Sequence, residues 1–370
     1  MKKFVMYATR AVINDLRKRT PWLLLPISFS ELGFESVLYC SDYEIDNKFL
    51  LEIHQTNHAS YRSIGSILEP IFSFSKLYRQ EPDLVVVAPL GSYLLTVIPL
   101  ILFFKFVEKA LRKTKTSYIL KTDWSVDYTG SNFIKRVASK FICSISTYVF
   151  DRVTVETYCG KSKLEMMPLA RKTAVKRVPL GYPEKFQRLN KYDNAKRENI
   201  ILCVARVTPM KGQDVLIRAF SIIIKKHPDW LLHLVGPVND IEYKTKLDNL
   251  ILELKLFDKV LFFDFSSEKF LYDEYGKSSI FCLPSIYLEN AGNVKYEAIA
   301  AGIPVITSDV PCELDSRELG FLVAPAGNIE KLSKHLETLI ESPAKRAEMV
   351  QYSQTKVLSY KDVATIYRDL

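Results

Sequence analysis

The sequence lacks the cysteine patterns of metal centres and redox motifs. Its 370 residues contain six cysteines, none in a CxxC pair and none in a Cys/His cluster with zinc-ligand spacing. Cys203 and Cys282 lie inside apolar, strand-like runs, where a reduced thiol acts as a small hydrophobic side chain. These features exclude a zinc-ribbon protein and indicate a reducing cytoplasm.

The chain also lacks a long uninterrupted apolar run. Its most apolar stretch, 84–107, is broken by two prolines and a glycine, whereas a membrane-spanning helix needs about 20 continuous apolar residues. We therefore expect a buried strand, Leu84–Ala88, and then a helix over Tyr93–Val107. Residues 1–6 contain two lysines and no long apolar run, so the sequence predicts no signal peptide.

Positive charge exceeds negative charge, but no nucleic-acid motif accompanies it. The formal net charge is +9, and the lysines and arginines are dispersed along the chain. We therefore predict anionic ligands and an anionic membrane face as partners, and no nucleic acid. The helix over Tyr93–Val107 carries three phenylalanines beside lysines, a pattern that allows simple burial or insertion into a membrane interface. We expect a cytoplasmic protein, peripheral on the inner face of the plasma membrane.

Short apolar runs alternate with longer helical patterns along the chain. Such alternation predicts parallel βαβ units, so each half is expected to form an α/β doubly wound sheet. The polar segment 182–199 is interpreted as a linker between domains 1–181 and 200–355, and 356–370 is interpreted as a terminal helix. The predicted strands are Lys3–Tyr7, Ser36–Tyr39, Leu84–Ala88, Ser117–Leu120, Arg152–Val155, Val175–Val178, Ile200–Ala205, Leu231–Val235, Val260–Phe263, Ile280–Leu283 and Pro304–Thr307.

One cluster of candidate functional residues follows the first strand of the second half. Arg206 comes directly after this strand, and Lys211-Gly212 stands just before a helix. Two cations beside a helix N-terminus form an anion pocket, because the helix amides and macrodipole add to their charge. By itself the pattern also fits two solvated cations on a βα loop.

A second cluster, in the segment 284–306, begins after another strand. Glu289 and Glu297 are eight residues apart, which on one helix separates them by about 12 Å and turns them about 80° apart. We therefore expect Glu289 in a loop and a helix that opens at Gly292-Asn293. The amides of Asn293 and Val294 then face a phosphate, and Glu297 can accept hydrogen bonds from a ribose diol. The alternative is an amphipathic helix with two solvated acids.

Together the two clusters resemble the retaining glycosyltransferases of family four. The acidic motif of that family, two glutamates separated by seven residues, matches Glu289 and Glu297. Its Arg-x-x-x-x-Lys-Gly signature matches Arg206, Lys211 and Gly212. The resemblance extends from about residue 200 to residue 342 and is weaker in the N-terminal half.

The resemblance implies the GT-B fold, with two Rossmann-like doubly wound parallel-sheet domains facing a central cleft. The terminal helix, 356–370, would cross back to the N-terminal domain. The implied activity is transfer of a sugar, with retained configuration, from a nucleotide-diphosphate sugar to a glycan or lipid-linked acceptor in polysaccharide or glycolipid biosynthesis. No metal or other cofactor is expected.

The resemblance also implies roles for individual residues. Arg206 and Lys211 would neutralise the donor diphosphate, Glu289 would contact the transferred sugar, and Glu297 would hold the ribose hydroxyls. The amides of the segment 292–294 would bind the distal phosphate. The nucleotide base, the sugar and the acceptor stay open.

The N-terminal half departs from the family pattern in two places. The stretch 8–14, ATRAVIN, has no glycine where the family has a Gly-rich loop after the first strand, and 121–130, KTDWSVDYTG, has no histidine. Asp123 takes the place of that histidine, with help from Lys121, or these are ordinary turn residues.

Two other functions stay open. A nucleotide-sugar epimerase shares the architecture and the donor pocket. A nucleotide-sugar-binding partner subunit without activity would explain the altered N-terminal loop. A glycoside hydrolase is disfavoured, because Glu289 and Glu297 do not face one bond.

Overall fold

The chain folds into two compact units, Met1–Gly181 with Leu358–Leu370 and Tyr182–Val357. The structure is a computed structural model that describes residues 2–13, 21–43, 52–55, 75–88, 94–111, 115–122, 133–191, 197–264, 267–287, 292–310 and 313–370.

The first unit is built on a parallel sheet with the strand order β3-β2-β1-β4-β5-β6-β7. Its strands are β1 (Lys3–Ile13), β2 (Glu35–Tyr43), β3 (Glu52–Gln55), β4 (Leu84–Val87), β5 (Ser117–Thr122), β6 (Arg152–Val155) and β7 (Val175–Arg177), and the short strand β8 (Gly181–Tyr182) follows. Its helices before the unit boundary are α1 (Pro21–Glu31), α2 (Leu94–Ala110), α3 (Phe133–Val149) and α4 (Tyr158–Glu165).

Alternation along β1 distributes the first core over both faces of the sheet. Val5 and Tyr7 belong to a cluster that includes side chains of α2 and α3. Phe4 and Met6 belong to a second cluster that includes side chains of α1. Since successive residues of a strand point to opposite faces, α2 and α3 cover one face and α1 covers the other.

The second unit repeats this plan with the parallel order β11-β10-β9-β12-β13-β14. Its strands are β9 (Glu198–Val204), β10 (Leu231–Val235), β11 (Val260–Phe263), β12 (Ser278–Leu283), β13 (Val305–Ser308) and β14 (Leu322–Ala324). Its helices are α5 (Gln213–Ile223), α6 (Ile241–Glu253), α7 (Glu268–Lys277), α8 (Asn293–Ala300), α9 (Glu313–Glu318), α10 (Ile329–Glu341) and α11 (Pro343–Gln354).

The chain ends with a short strand, β15 (Leu358–Ser359), and a helix, α12 (Tyr360–Asp369), both in the first unit. Val363 and Ala364 of α12 join the apolar cluster that α1 covers. The Tyr367 hydroxyl lies 2.8 Å from Thr154 Oγ1 in β6. A capping box at Ser359 and Asp362 begins the helix.

The predicted strands are confirmed, most of them within a few residues, but β1 is longer than predicted and four short strands were not predicted. β1 continues to Ile13, with a register shift against β2 between Ala8 and Val12. Of the stretch 8–14, expected to form a loop, residues 8–13 therefore lie in a strand. The short strands β3, β8, β14 and β15 were not predicted.

The segment 182–199 contains more structure than a linker does. Glu184–Lys191 forms a 3₁₀ helix, and Glu198 already belongs to β9. Phe186 is fully buried, with its ring 4.6 Å from that of Tyr272 and 5.2 Å from that of Tyr275. The described part of this segment thus packs into the second unit.

Two features bear on the predicted compartment. Cys203 and Cys282 are buried and form no disulfide, as their apolar surroundings predicted, but Cys159 is disulfide-bonded, which the sequence did not indicate. None of the helices in the described ranges is both long and apolar enough to cross a bilayer.

A polar triad of buried His233, buried Glu274 and half-buried Lys277 links β10 to α7. Glu274 Oε2 lies 2.7 Å from His233 Nδ1, and Glu274 Oε1 lies 2.7 Å from Lys277 Nζ. Burial by itself raises the pKa of Glu274, but hydrogen bonds and charge from His233 and Lys277 outweigh it and lower the pKa below its ordinary 4.5. A lowered folded-state pKa stabilises the fold above the unfolded pKa, and this stability is lost as pH falls through the folded pKa.

We predict that Glu274→Gln lowers the free energy of unfolding by about 1–3 kcal/mol at pH 7, because it removes the charge-assisted hydrogen bonds. The difference from wild type should shrink below pH 4.5, as urea denaturation at a series of pH values would show. The exposed Glu253→Gln serves as control. A difference that stays constant down to pH 3 would contradict the assigned linkage.

Candidate functional site

Two strands far apart in sequence lie side by side in the second sheet. β12 pairs in parallel with β9, with Ile280 opposite Ile201, although β10 and β11 come between them in the chain. The strand order reverses at this pair. In doubly wound sheets, ligands bind at such a reversal, beyond the carboxyl ends of the strands. The loops after β9 and β12 therefore meet where a ligand site is expected.

The loop after β9 carries the two predicted cations. Arg206 is exposed, and Lys211 ends a short 3₁₀ helix, Pro209–Lys211. The side-chain amide of the buried Gln213 donates a hydrogen bond of 2.9 Å to the carbonyl of Arg206. This bond ties the backbone of Arg206 to the first residue of α5, while the Arg206 side chain stays at the surface.

Gly212 brings this loop against the end of β12. Its φ of +66° lies in the left-handed region, and a Cβ at this position would lie 2.2 Å from the carbonyl oxygen of Pro284. Only glycine satisfies both conditions. The backbone conformation and the close approach to Pro284 therefore explain why a glycine follows Lys211 in the sequence motif.

A hydrogen bond joins the two predicted clusters. The backbone amide of Ile286, in the segment after β12, donates 2.9 Å to the carbonyl of Met210. Because Met210 precedes Lys211 directly, the cationic loop and the start of the acidic segment are held in contact.

The helix start predicted at Gly292-Asn293 is confirmed. Gly292 has a φ of +72° and precedes α8, and as a glycine it has no side chain that could cap the helix. The first amides of a helix have no partner within it, so those of Asn293 and Val294 are directed outward from its N-terminus. The contact of these amides with a phosphate stays a prediction.

Glu297 lies one turn into α8 and is only 1% exposed. The hydroxyl of the fully buried Tyr275 lies 3.1 Å from Oε2 of Glu297 and 3.2 Å from the carbonyl oxygen of Val294. Tyr275 thereby fixes the carboxylate against the helix. Sequence reasoning missed this tyrosine, because the pattern of α7 identifies it only as a core residue, and it also missed the buried Lys295.

Two predicted site residues lie outside the described part of the chain. Glu289 falls in 288–291, and Asp123 falls in 123–132. Their assigned contacts with sugar and acceptor stay predictions.

Lys121, predicted on the acceptor side, lies inside β5, which continues to Thr122. Its buried amine pairs with the buried carboxylate of Glu156, directly after β6. Lys121 and Glu156 thus form a desolvated ion pair where two adjacent strands end. No sequence pattern indicated Glu156, because 35 residues separate it from Lys121.

The expectation of a metal-free site stays a prediction. In the described ranges, one group of three side chains has the spacing of metal ligands, namely His227, Glu337 and Glu341. It lies beyond the far end of α5, about 16 Å along that helix from the Lys211 loop. There Lys226 already contacts Glu337 at 2.7 Å.

The close approach at Gly212 is testable by substitution. We predict that Gly212→Ala destabilises the fold by about 1–3 kcal/mol more than Gly327→Ala, because its Cβ must displace Pro284. Gly327 is a matched control, since its φ is +76° with open space around it. Urea denaturation of both variants measures the difference, and equal losses would contradict the contact.

Known proteins resemble both the sequence and the fold. Residues 184–356 match the family model of glycosyl transferases group 1. An uncharacterized glycosyltransferase of Haemophilus influenzae is 27% identical over 333 residues, covering 89% of this chain and 85% of the relative. These similarities support a glycosyltransferase.

Solved structures show the same architecture at low identity. A glycosyltransferase from Rickettsia africae has a TM-score of 0.76 at 16% identity, covering 100% of this chain and 98% of that chain. Anabaena HepE, in complex with UDP and glucose, has a TM-score of 0.70 at 13% identity, covering 100% and 99%. This chain therefore has the GT-B fold of two Rossmann-like units, and its residues 184–356 are similar to the group 1 glycosyl transferases.

Proposed function

We propose that this protein binds a nucleotide-diphosphate sugar between the loop after β9 and the segment after β12 and transfers its sugar to a glycan or lipid-linked acceptor. The observation that carries the proposal is the junction of these two loops at the strand-order reversal, through Ile286 and Met210. The transfer retains the anomeric configuration and uses no metal.

The diphosphate is the part of the donor that the described residues fit best. Arg206 and Lys211 supply two positive charges, and the N-terminus of α8 supplies amides and the positive end of its dipole. A nucleoside diphosphate gains negative charge as the bond to the sugar breaks. Fixed cations and amides at that point stabilise the transition state, in the place that a metal ion takes in other enzymes.

Two carboxylates complete the donor site in this proposal. Glu297 accepts hydrogen bonds from the ribose diol, and Tyr275 holds its carboxylate in orientation before the donor arrives. Glu289 contacts the transferred sugar, and the amides of the segment 292–294 hold the distal phosphate.

On the acceptor side, Asp123 is the residue that meets the incoming hydroxyl. It directly follows β5, whose end is fixed by the ion pair of Lys121 with Glu156. Lys121 accordingly acts through that pair, as a positioning residue for Asp123.

We predict that Lys211→Ala and Glu289→Ala each abolish sugar transfer while the protein stays folded. The loss should be at least about 100-fold, the usual effect of removing one group that stabilises the transition state. Transfer is measured with a radiolabelled donor, and folding by circular dichroism. Lys225→Ala removes an exposed lysine beyond the far end of α5 and should turn over like wild type. Unchanged turnover in Lys211→Ala or Glu289→Ala would refute the site.

A thermal-shift screen against UDP-, GDP- and ADP-sugars identifies the donor. A ligand present at 100 times its Kd stabilises the fold by about 2.7 kcal/mol, so the correct donor should raise Tm by several degrees. The shift should persist in EDTA and disappear in Lys211→Ala. No shift with any donor, or a shift that EDTA removes, would contradict the proposed metal-free grip on the diphosphate.

A further inference from the structure

Helix α2 is apolar on two opposite sides. Its inward side packs against the first sheet through Val97, Ile101 and Phe104, spaced three and four residues apart. Its outward side carries Phe103 and Phe106, which are 58% and 70% exposed. Packing within the first unit therefore accounts for only half of the apolar character of this helix.

Helix α3 continues the exposed apolar surface. It packs beside α2, and Lys105 Nζ of α2 donates 2.8 Å to the carbonyl of Val149. Val137, Phe141 and Tyr148 are each more than half exposed. They are spaced four and seven residues apart, so they share one side of the helix.

A turn after α4 adds two further exposed residues beside α3. The Ser144 hydroxyl of α3 donates 2.6 Å to the carbonyl of Pro168, which holds this turn next to the helix. Met166 and Leu169 of the turn are 82% and 70% exposed. Leu169 has a φ of +67°, a left-handed conformation that costs a non-glycine residue about 1 kcal/mol or more. A strained backbone thus presents an apolar side chain to the outside.

We name this surface the apolar face. It spans three elements that pack on or bond to one another, unlike scattered single exposed side chains, and a large apolar surface of this kind marks an interaction site. Its members are each 51–82% exposed: Leu102, Phe103, Phe106, Val137, Phe141, Tyr148, Met166 and Leu169.

Positive charge surrounds the apolar face. Four lysines on or beside its elements are exposed, namely Lys109, Lys140, Lys163 and Lys172. The acids described nearby are buried, as Glu108 is, or paired with lysines, as Asp151 and Glu165 are. An exposed apolar surface with a cationic rim is complementary to an anionic lipid bilayer, where apolar side chains enter the headgroup region and lysines meet lipid phosphates.

We propose that the protein docks on an anionic bilayer through the apolar face, lying on the membrane without crossing it. A second copy of the chain is a poorer occupant, because a two-fold symmetric interface would bring identical lysine rims together. That docking carries the enzyme to a lipid-linked acceptor rests on the proposed function, whereas the docking itself does not.

Sedimentation of the full chain with vesicles tests the docking. We expect binding to phosphatidylcholine vesicles with about 30% phosphatidylglycerol, weaker binding to pure phosphatidylcholine, and release at about 0.5 M salt. Phe103→Ser/Phe106→Ser should reduce binding at least tenfold, since two apolar anchors are lost. Leu252→Ser/Phe257→Ser, a pair equally exposed in the second unit, should bind like wild type. The charge reversal Lys140→Glu, on α3, should weaken vesicle binding. The same reversal at Lys225, in the second unit, should leave vesicle binding unchanged.

Depth of insertion gives a second readout. Brominated lipids should quench the fluorescence of the tryptophan introduced by Phe106→Trp. They should not quench that of the tryptophan introduced by Phe257→Trp. No sedimentation at low salt, or equal sedimentation of Phe103→Ser/Phe106→Ser and wild type, would overturn the proposal. A dimer in solution that the same pair of substitutions dissolves would overturn it in favour of a second copy.

Because sedimentation needs no donor, the outcome is independent of the proposed activity. Lys211→Ala, expected to lose donor binding, should still sediment like wild type. Loss of vesicle binding with an intact donor shift refutes the docking alone, and the reverse result refutes the donor site alone.

Discussion

The candidate site depends on the parallel pairing of β9 with β12. This pairing places side by side two strand ends that 79 residues separate, from Val204 to Leu283. The contacts between the loop after β9 and the segment after β12 follow from it. Gly212 can approach Pro284, and Ile286 can bond to Met210, only because the two strands are hydrogen-bonded neighbours. The helices α5 and α8 then begin at the same edge of the sheet, where the positive ends of their dipoles favour an anion.

Polar side chains inside the two units are held by partners distant in sequence. Lys121 pairs with Glu156, His233 with Glu274, and Tyr275 with Glu297, across 35, 41 and 22 residues. A buried charge is costly unless a partner compensates it, so these pairs determine which strands and helices can be neighbours. At the candidate site the same constraint orients a carboxylate before any ligand is bound.

In the first unit, helix α2 has one apolar side packed on the sheet and a second apolar side exposed. Burial in the core and insertion at an interface are alternatives when α2 is considered as a sequence. In the fold both sides are apolar, and Phe104 faces the sheet while Phe103 and Phe106 face outward. The exposed side of α2 becomes part of a larger apolar face only because α3 and the turn after α4 add their own exposed apolar residues.

The sequence by itself determined the alternating strands and helices, the break before the second sheet, and the residue types of the candidate anion site. These are local properties, because hydrophobic period, turn glycines and motif spacing act within a few residues of each other. Only the tertiary structure decided that β1 runs through the expected loop, that Lys121 meets Glu156 and that Tyr275 supports Glu297. It also decided that α2 and α3 share an exposed apolar face. Those outcomes depend on strand order and helix packing, which bring together residues too far apart in the sequence for any local pattern to include both.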